Sequence, residues 1–104
     1  MDVLKIAIAG AGTVGSGLLK ILRKNKELIK KKIGKEIVIS AIASRKGFEN
    51  LGVLSNQTVL FKDAAELKTF NDFDILVELI GGEDGVAKDI IFDSINKNKH
   101  VFIC

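Results

Sequence analysis

Residues 4–17, with the sequence LKIAIAGAGTVGSG, contain the pattern that decides the fold of this chain. Residues 4–9 form a short apolar run, and the glycines that follow it favour a buried strand. From Thr13 onward the apolar residues fall at helical spacing. A strand that passes through glycines spaced G-x-G-x-x-G into a helix is typical of dinucleotide-binding domains.

The three glycines of this turn have different predicted roles. Gly10 permits the tight turn, Gly12 leaves room for a pyrophosphate, and Gly15 lets the helix pack closely against the strand. The amides of the first helical turn, near Thr13 and Val14, favour a bound phosphate, and the helix dipole adds to this. The alternative is a glycine-rich turn that binds no ligand, although glycine weakens a helix start without structural need.

Strand-like and helix-like segments alternate along the rest of the chain. Further strands are predicted for residues 37–43, 59–61, 74–80 and 99–103. Helices are predicted for residues 13–33, closed by Gly34, for a short segment capped by Asp63 and ending at Leu67, and for residues 86–95, while 44–56 is a polar loop. This order predicts an α/β fold: a Rossmann-type parallel sheet of about five strands with flanking helices, incomplete at the C-terminal end.

The end of the second predicted strand bears on the choice of cofactor. NAD-selective sites usually carry an acidic residue there that bonds the ribose hydroxyls. This chain has Ser44, Arg45 and Lys46 instead, and a hydroxyl with two cations suits a 2′-phosphate. We therefore expect NADP to be preferred over NAD. Ordinary loop cations and use of both cofactors remain open alternatives.

The fourth predicted strand ends with Glu78 and then with Gly81 and Gly82. Ligands of open parallel sheets bind beyond the carboxyl ends of the strands, so these glycines are expected to let the backbone approach the ribose or nicotinamide. A tight turn between strand and helix is the alternative. Glu78 points toward the site or is simply a polar residue at a strand end.

Composition restricts the remaining possibilities. A chain of 104 residues with 47% hydrophobic residues suits one domain, residues 1–104, with a packed core. The net charge is +3, but the sequence lacks the interleaved aromatic and basic residues expected of a nucleic-acid-binding protein. No apolar run is long enough for a membrane span, and no metal-ligand spacing or catalytic group is evident. The single cysteine, Cys104, suits a reducing cytoplasm.

Three segments resemble the N-terminal NAD(P)-binding domain of homoserine dehydrogenase. They are residues 10–17 (GAGTVGSG), 77–82 (VELIGG) and 98–101 (NKHV), and the resemblance extends over nearly the whole chain. The first segment is shared with many dehydrogenases, whereas VELIGG is much more specific.

The resemblance implies an oxidoreductase of threonine and methionine biosynthesis. Its reaction would be the NAD(P)-dependent interconversion of homoserine and aspartate 4-semialdehyde. It also implies that Ala11, Thr13 and Val14 line the cofactor, and that Arg45 lies at the adenosine ribose or its phosphate. The cofactor is thus the expected partner, with no nucleic acid and no membrane.

Two departures from the family limit this expectation. Gly85 stands where family members usually have proline, which is a better residue at a helix start. The family also continues from Lys-His-Val into Thr-Ala-Asn-Lys, whose lysine serves the active site, but Ile103 and Cys104 hold the Thr and Ala places. The resemblance also implies a substrate and dimerisation region, which we do not expect within residues 1–104. We therefore expect cofactor binding without turnover of homoserine by this chain alone.

Other functions stay open at this point. The chain could be a fragment of a related dehydrogenase such as aspartate dehydrogenase, or a nucleotide-sensing module without chemistry. An incomplete sheet also exposes an edge strand, so self-association through that edge is expected.

Overall fold

The computed structural model describes residues 2–52, 54–81 and 85–104, apart from the side chain of Asn50. Five strands of this part form one parallel sheet in the order β3-β2-β1-β4-β5. They are β1 (Val3–Ala9), β2 (Glu36–Ala43), β3 (Val59–Phe61), β4 (Ile75–Glu78) and β5 (His100–Ile103). The chain builds outward from β1 on one side and then crosses to the other side with β4. The predicted Rossmann-type α/β fold is confirmed, and the carboxyl ends of β1 and β4 form its topological switch point.

Helices cover both faces of the sheet. They are α1 (Thr13–Lys24), α2 (Lys26–Ile33) and α3 (Val86–Asn96), with short 3-10 helices at Glu49–Leu51 and Ala64–Thr69. One buried cluster joins the sheet to α1 and the first 3-10 helix, and the other joins it to α3 and the second. No helix within the described residues is long and apolar enough to cross a membrane.

Isoleucine and alanine alternate along β1 and separate the two clusters. Ile6 and Ile8 pack with Leu19 of α1, whereas Ala7 and Ala9 lie in the cluster that contains Ile90 of α3. Successive side chains of a strand point to opposite faces, so β1 is buried on both sides. This explains why residues 6–9 are all apolar rather than alternating between apolar and polar.

A β-bulge in β2 keeps its side chains on the correct faces. Ile6 of β1 lies opposite Ile39, but the next residue of β1 lies opposite Ala41, so Ser40 is an extra residue. In a regular strand Ile39 and Ile42 would lie on opposite faces, yet both pack against the cluster of α1. The buried hydroxyl of Ser40 donates a hydrogen bond of 3.3 Å to the carbonyl of Ile6, the last residue of β1 before the bulge.

The helix predicted for residues 13–33 is wrong in one respect, because it is divided into α1 and α2 at Asn25. The side-chain amide of Asn25 donates to the carbonyl of Ile21 at 2.9 Å, where the Asn25 backbone amide also bonds. Side chains that bond the backbone within a helix bend it. The predicted end at Gly34 is confirmed, since Gly34 has a φ of 73° and its amide bonds the Lys30 carbonyl.

Other boundaries shift by small amounts for local reasons. Asp63 caps the second 3-10 helix as predicted, through a capping box with Glu66, but the helix continues to Thr69. The fifth strand begins at His100 because the amide of Lys99 bonds the Ser94 carbonyl at the end of α3. The predicted fourth strand, residues 74–80, is shorter, and the predicted loop 44–56 contains the first 3-10 helix.

Lys97 joins α3 to the second 3-10 helix. Its side chain is only 18% exposed and forms an ion pair with Asp93 at 2.8 Å. The ammonium also donates to three carbonyls that end the 3-10 helix, at 3.3, 3.1 and 3.0 Å: those of Leu67, Lys68 and Phe70. One cation therefore supplements the Phe70 amide at the Leu67 carbonyl and supplies a donor to the Lys68 and Phe70 carbonyls at this helix end.

Replacement of this cation is expected to destabilise the fold. Lys97→Met keeps most of the aliphatic stem but removes the ion pair with Asp93 and the donor to the Lys68 and Phe70 carbonyls, so we expect a loss of about 2 kcal/mol in unfolding free energy. Urea denaturation followed by circular dichroism measures it. Lys88→Met is the matched control on the same helix, because the Lys88 ammonium lies 5.9 Å from the Phe92 ring and forms no ion pair among the described residues. Equal losses for the two variants would contradict the role of Lys97.

Candidate cofactor site

The carboxyl ends of three strands meet at Gly10, directly after β1. The amide of Gly10 donates to the carbonyl of Ala43, the last residue of β2, at 2.8 Å. A Cβ on Gly10 would lie 3.0 Å from Cγ1 and 3.2 Å from the amide nitrogen of Ile80, just beyond β4. Gly10 also has a φ of +91°, which strains any other residue. The glycine is therefore required by the protein itself.

Gly15 is likewise explained by packing within the chain. A Cβ there would lie 3.0 Å from the carbonyl oxygen of Gly10 and 3.3 Å from the Cβ of Ala11. Gly15 is buried on the side of α1 that faces β1. This contact agrees with the predicted role of Gly15 in bringing helix and strand together.

Gly12 has no steric explanation of this kind. Its φ of −74° is outside the left-handed region, and a Cβ there would meet no atom of the described residues within 4 Å. It stands at the N-cap of α1, where no side chain caps the helix and the first turn contains no acidic residue. The space beside Gly12 and the adjoining amides of Thr13 and Val14, both exposed, suit an anionic group brought close to the backbone.

Three adjoining cavities lie along the glycine turn and the loop after β2, and Lys46 lines all of them. The first, of about 280 Å³, brings together six of the residues predicted from sequence: Gly10, Ala11, Gly12, Ser44, Arg45 and Lys46. The second, of about 320 Å³, adds Thr13 at the start of α1. Val14 and Gly15 line none of these cavities. An elongated ligand could extend from Gly12 past the end of β2.

Lys62 is a candidate residue that the sequence analysis missed. It follows β3 directly and lines two of the cavities together with Arg45 and Lys46. The amide of Ser44 bonds the carbonyl of Phe61 at 2.9 Å, so the ends of β2 and β3 lie side by side. Because neighbouring parallel strands end at the same sheet edge, a cation just after the third predicted strand was the available signal.

The turn after β2 is built around Ser44. This side chain is only 5% exposed, and its hydroxyl donates to the carbonyl of Gly47 at 2.9 Å. Gly47 has a φ of +93°, so the chain reverses sharply there. Arg45 and Lys46, between the two, are exposed at the cavity mouth. Ser44 thus lines the site and also holds the turn that presents the two cations.

The structure resolves the ambiguity about Glu78. Its side chain is 1% exposed, and Oε2 accepts a hydrogen bond of 2.6 Å from the amide of Gly81. The carboxylate therefore holds the loop after β4, in which Gly81 has a φ of +79°. Gly81 lines none of the cavities, although Leu79 and Ile80 line the first. Gly82 lies outside the described residues.

Other predicted features have simple positions. Gly85 precedes α3 with a φ of +76°, a conformation closed to the proline that the resembling family usually has there. His100 is exposed at the start of β5. Within residues 2–52, 54–81 and 85–104, no group of His, Cys, Asp and Glu side chains could hold a metal ion.

Comparison with known proteins shows the family to which the chain belongs. A family model described as "Homoserine dehydrogenase, NAD binding domain" matches residues 10–104. The chain belongs to this family. The glycine turn, the cations after β2 and the loop after β4 all fall within the matched range, so the predicted resemblance to homoserine dehydrogenase is confirmed.

Individual homoserine dehydrogenases agree in sequence and in fold. The enzyme of Neisseria gonorrhoeae is 37% identical over 101 residues, which are 97% of this chain and 23% of the relative. The structure from Thiobacillus denitrificans matches with a TM-score of 0.85 and 33% identity, over 99% of this chain and 23% of that one. The Staphylococcus aureus structure at pH 6.0 matches with a TM-score of 0.83 and 35% identity, over 100% of this chain and 27% of that one. The chain thus spans about a quarter of the length of these relatives.

Two substitutions compare Gly10, where a side chain would meet close contacts, with Gly12, where it would enter open space. Gly10→Ala is expected to lower the unfolding free energy by about 3 kcal/mol, from the left-handed backbone and the contacts with Ile80. Gly12→Ala is expected to cost less than Gly10→Ala, because Gly12 is outside the left-handed region and its added methyl group meets no described atom within 4 Å. Urea denaturation of both variants measures the difference. A loss at Gly12 as large as that at Gly10 would mean that Gly12 has a packing role of its own.

Proposed function

We propose that this chain binds a dinucleotide across the carboxyl ends of β1, β2 and β4. The pyrophosphate lies beside Gly12 and against the N-terminal amides of α1, with Ala11, Thr13 and Val14 around it. The observation that carries the proposal is the open space at Gly12, which no described residue fills. A side chain at that position would occupy the place of the phosphates.

We propose further that NADP(H) is preferred over NAD(H). Arg45, Lys46 and Lys62 line one cavity of about 600 Å³ beyond the end of β2, and all three are exposed cations. A 2′-phosphate there gains charge-assisted hydrogen bonds that a ribose hydroxyl cannot make as strongly. The loop at Gly81 and Gly82 is proposed to lie along the ribose or nicotinamide.

The proposed reaction is that of the whole family: NAD(P)-dependent interconversion of homoserine and aspartate 4-semialdehyde. Residues 1–104 are proposed to form a single domain whose task is to hold the cofactor, which carries the hydride when bound. We propose that the substrate is held outside the matched region, which is 23% of the relative's length. The proposed setting is the cytoplasm, where the thiol of Cys104 stays reduced.

Titration with NADPH, NADH and AMP tests the cofactor proposal. Both dinucleotides should raise the melting temperature of the chain, NADPH more than NADH at equal concentration, because a ligand that binds the folded state stabilises it. Lys62→Gln should weaken NADPH binding about fivefold, since one exposed charge near a phosphate contributes about 1 kcal/mol. NADH binding should change less than about twofold, as it lacks the 2′-phosphate.

Lys68→Gln provides the matched control for Lys62→Gln. Lys68 is also exposed but lines none of the three cavities, so the variant removes the same charge away from the site. Isothermal titration at low and high salt measures both affinities. The absence of binding to any dinucleotide refutes the proposed function, and equal effects of the two variants refute the position given to the 2′-phosphate.

Self-association through the edge of the sheet is also part of the proposal. β5 pairs only with β4 among the described strands, and it exposes Phe102 and Ile103 by 66% and 64%. The outer face of α3 beside it exposes Phe92 and Ile95. A strand edge with apolar side chains is a surface on which a second copy can pair.

Sedimentation velocity at increasing protein concentration measures this association. We expect a concentration-dependent dimer that Phe102→Lys abolishes, because a charge on an edge strand opposes pairing. Leu28→Lys is the control, since Leu28 is an exposed apolar residue of α2. A monomer at every concentration, or equal effects of the two variants, would exclude the β5 edge as the contact.

A further inference from the structure

The loop after β2 brings one carboxylate to the cationic cavities. Glu49 begins the 3-10 helix Glu49–Leu51, and Leu51 at its end is buried in the cluster that contains Leu19 of α1. The Leu51 carbonyl also accepts a hydrogen bond from Arg23 of α1. The helix that carries Glu49 is therefore fixed against α1 at its far end.

Glu49 lies between the glycine turn and the cations. It lines the cavity of about 320 Å³ together with Gly12 and Thr13, and also the cavity of about 600 Å³ together with Arg45 and Lys62. Both of its carboxylate oxygens are 3.4 Å from the position that a Cβ on Gly47 would take. The carboxylate is thus folded back over the turn that presents Lys46.

The charge of Glu49 is not cancelled by a direct ion pair. Ion pairs of the described residues join Lys5 to Asp72, Lys26 to Glu36 and Lys97 to Asp93, and none involves Glu49. The neighbouring cations Arg45 and Lys46 are exposed on the same loop without such a contact to it. A ligand in these cavities therefore meets both a positive rim and one negative group.

From this arrangement we infer that Glu49 is a specificity-determining residue that opposes the cations in the choice of cofactor. Its carboxylate accepts hydrogen bonds from the free ribose hydroxyls of NAD(H) and repels the 2′-phosphate of NADP(H). Arg45, Lys46 and Lys62 act in the opposite direction. The chain consequently uses both cofactors, with a preference set by the balance between one carboxylate and three cations. The inference rests on the proposed function, because it assigns a role within the same cofactor site.

The experiment compares Glu49→Gln with the unmodified chain by isothermal titration with NADPH and NADH. The amide has the same shape without the charge, so NADPH should bind about fivefold more tightly as the repulsion is lost. NADH should bind about threefold more weakly, since a neutral acceptor forms a weaker hydrogen bond than a carboxylate. High salt should reduce the NADPH effect more than the NADH effect, because salt screens exposed charges.

Glu27→Gln is the matched control, since Glu27 is an exposed acid of α2 that lines none of the three cavities. It changes the net charge equally and should leave both affinities unchanged. The inference is overturned if Glu49→Gln changes neither affinity, or changes both in the same direction, as a merely loosened loop would. If the unmodified chain binds neither dinucleotide, the proposed function itself fails, and the inference fails with it.

Discussion

The carboxyl end of β1 packs so closely against its neighbours that no side chain fits at Gly10. One hydrogen bond ties this residue to the end of β2, and the loop after β4 lies 3.0 to 3.3 Å from the position that a Cβ on Gly10 would take. The left-handed backbone at Gly10 then directs the chain into α1. The three strand ends, the start of the helix and the cavities around them consequently depend on this single close approach.

The rest of the sheet provides the surfaces that make this approach possible. Alternating isoleucine and alanine give β1 one face for α1 and another for α3. The extra residue at Ser40 returns β2 to the same alternation beside it, so Ala41 and Ala43 continue the alanine face up to the site. Bulges re-aim side chains in this way at a local cost in regular pairing.

Electrostatics at the site arise from loops rather than from the sheet. The turn held by Ser44 exposes Arg45 and Lys46, Lys62 joins them from β3, and Glu49 returns toward Gly12. All four charges are at the solvent boundary, where each contributes modestly and salt weakens it. Cofactor choice at such a site depends on the sum of several small terms, which is why one substituted loop residue can alter it.

The sequence by itself determined the parallel α/β fold, the glycine turn and the cations after β2, because strand and helix periodicity and the G-x-G-x-x-G spacing are local properties. Only the tertiary structure separated Gly10 and Gly15, which packing requires, from Gly12, which it does not. It also turned Glu78 toward the amide of Gly81 and brought Lys62 to Lys46. These relations join residues from different strands and loops, and their distances follow from sheet order and side-chain packing, which no local pattern encodes.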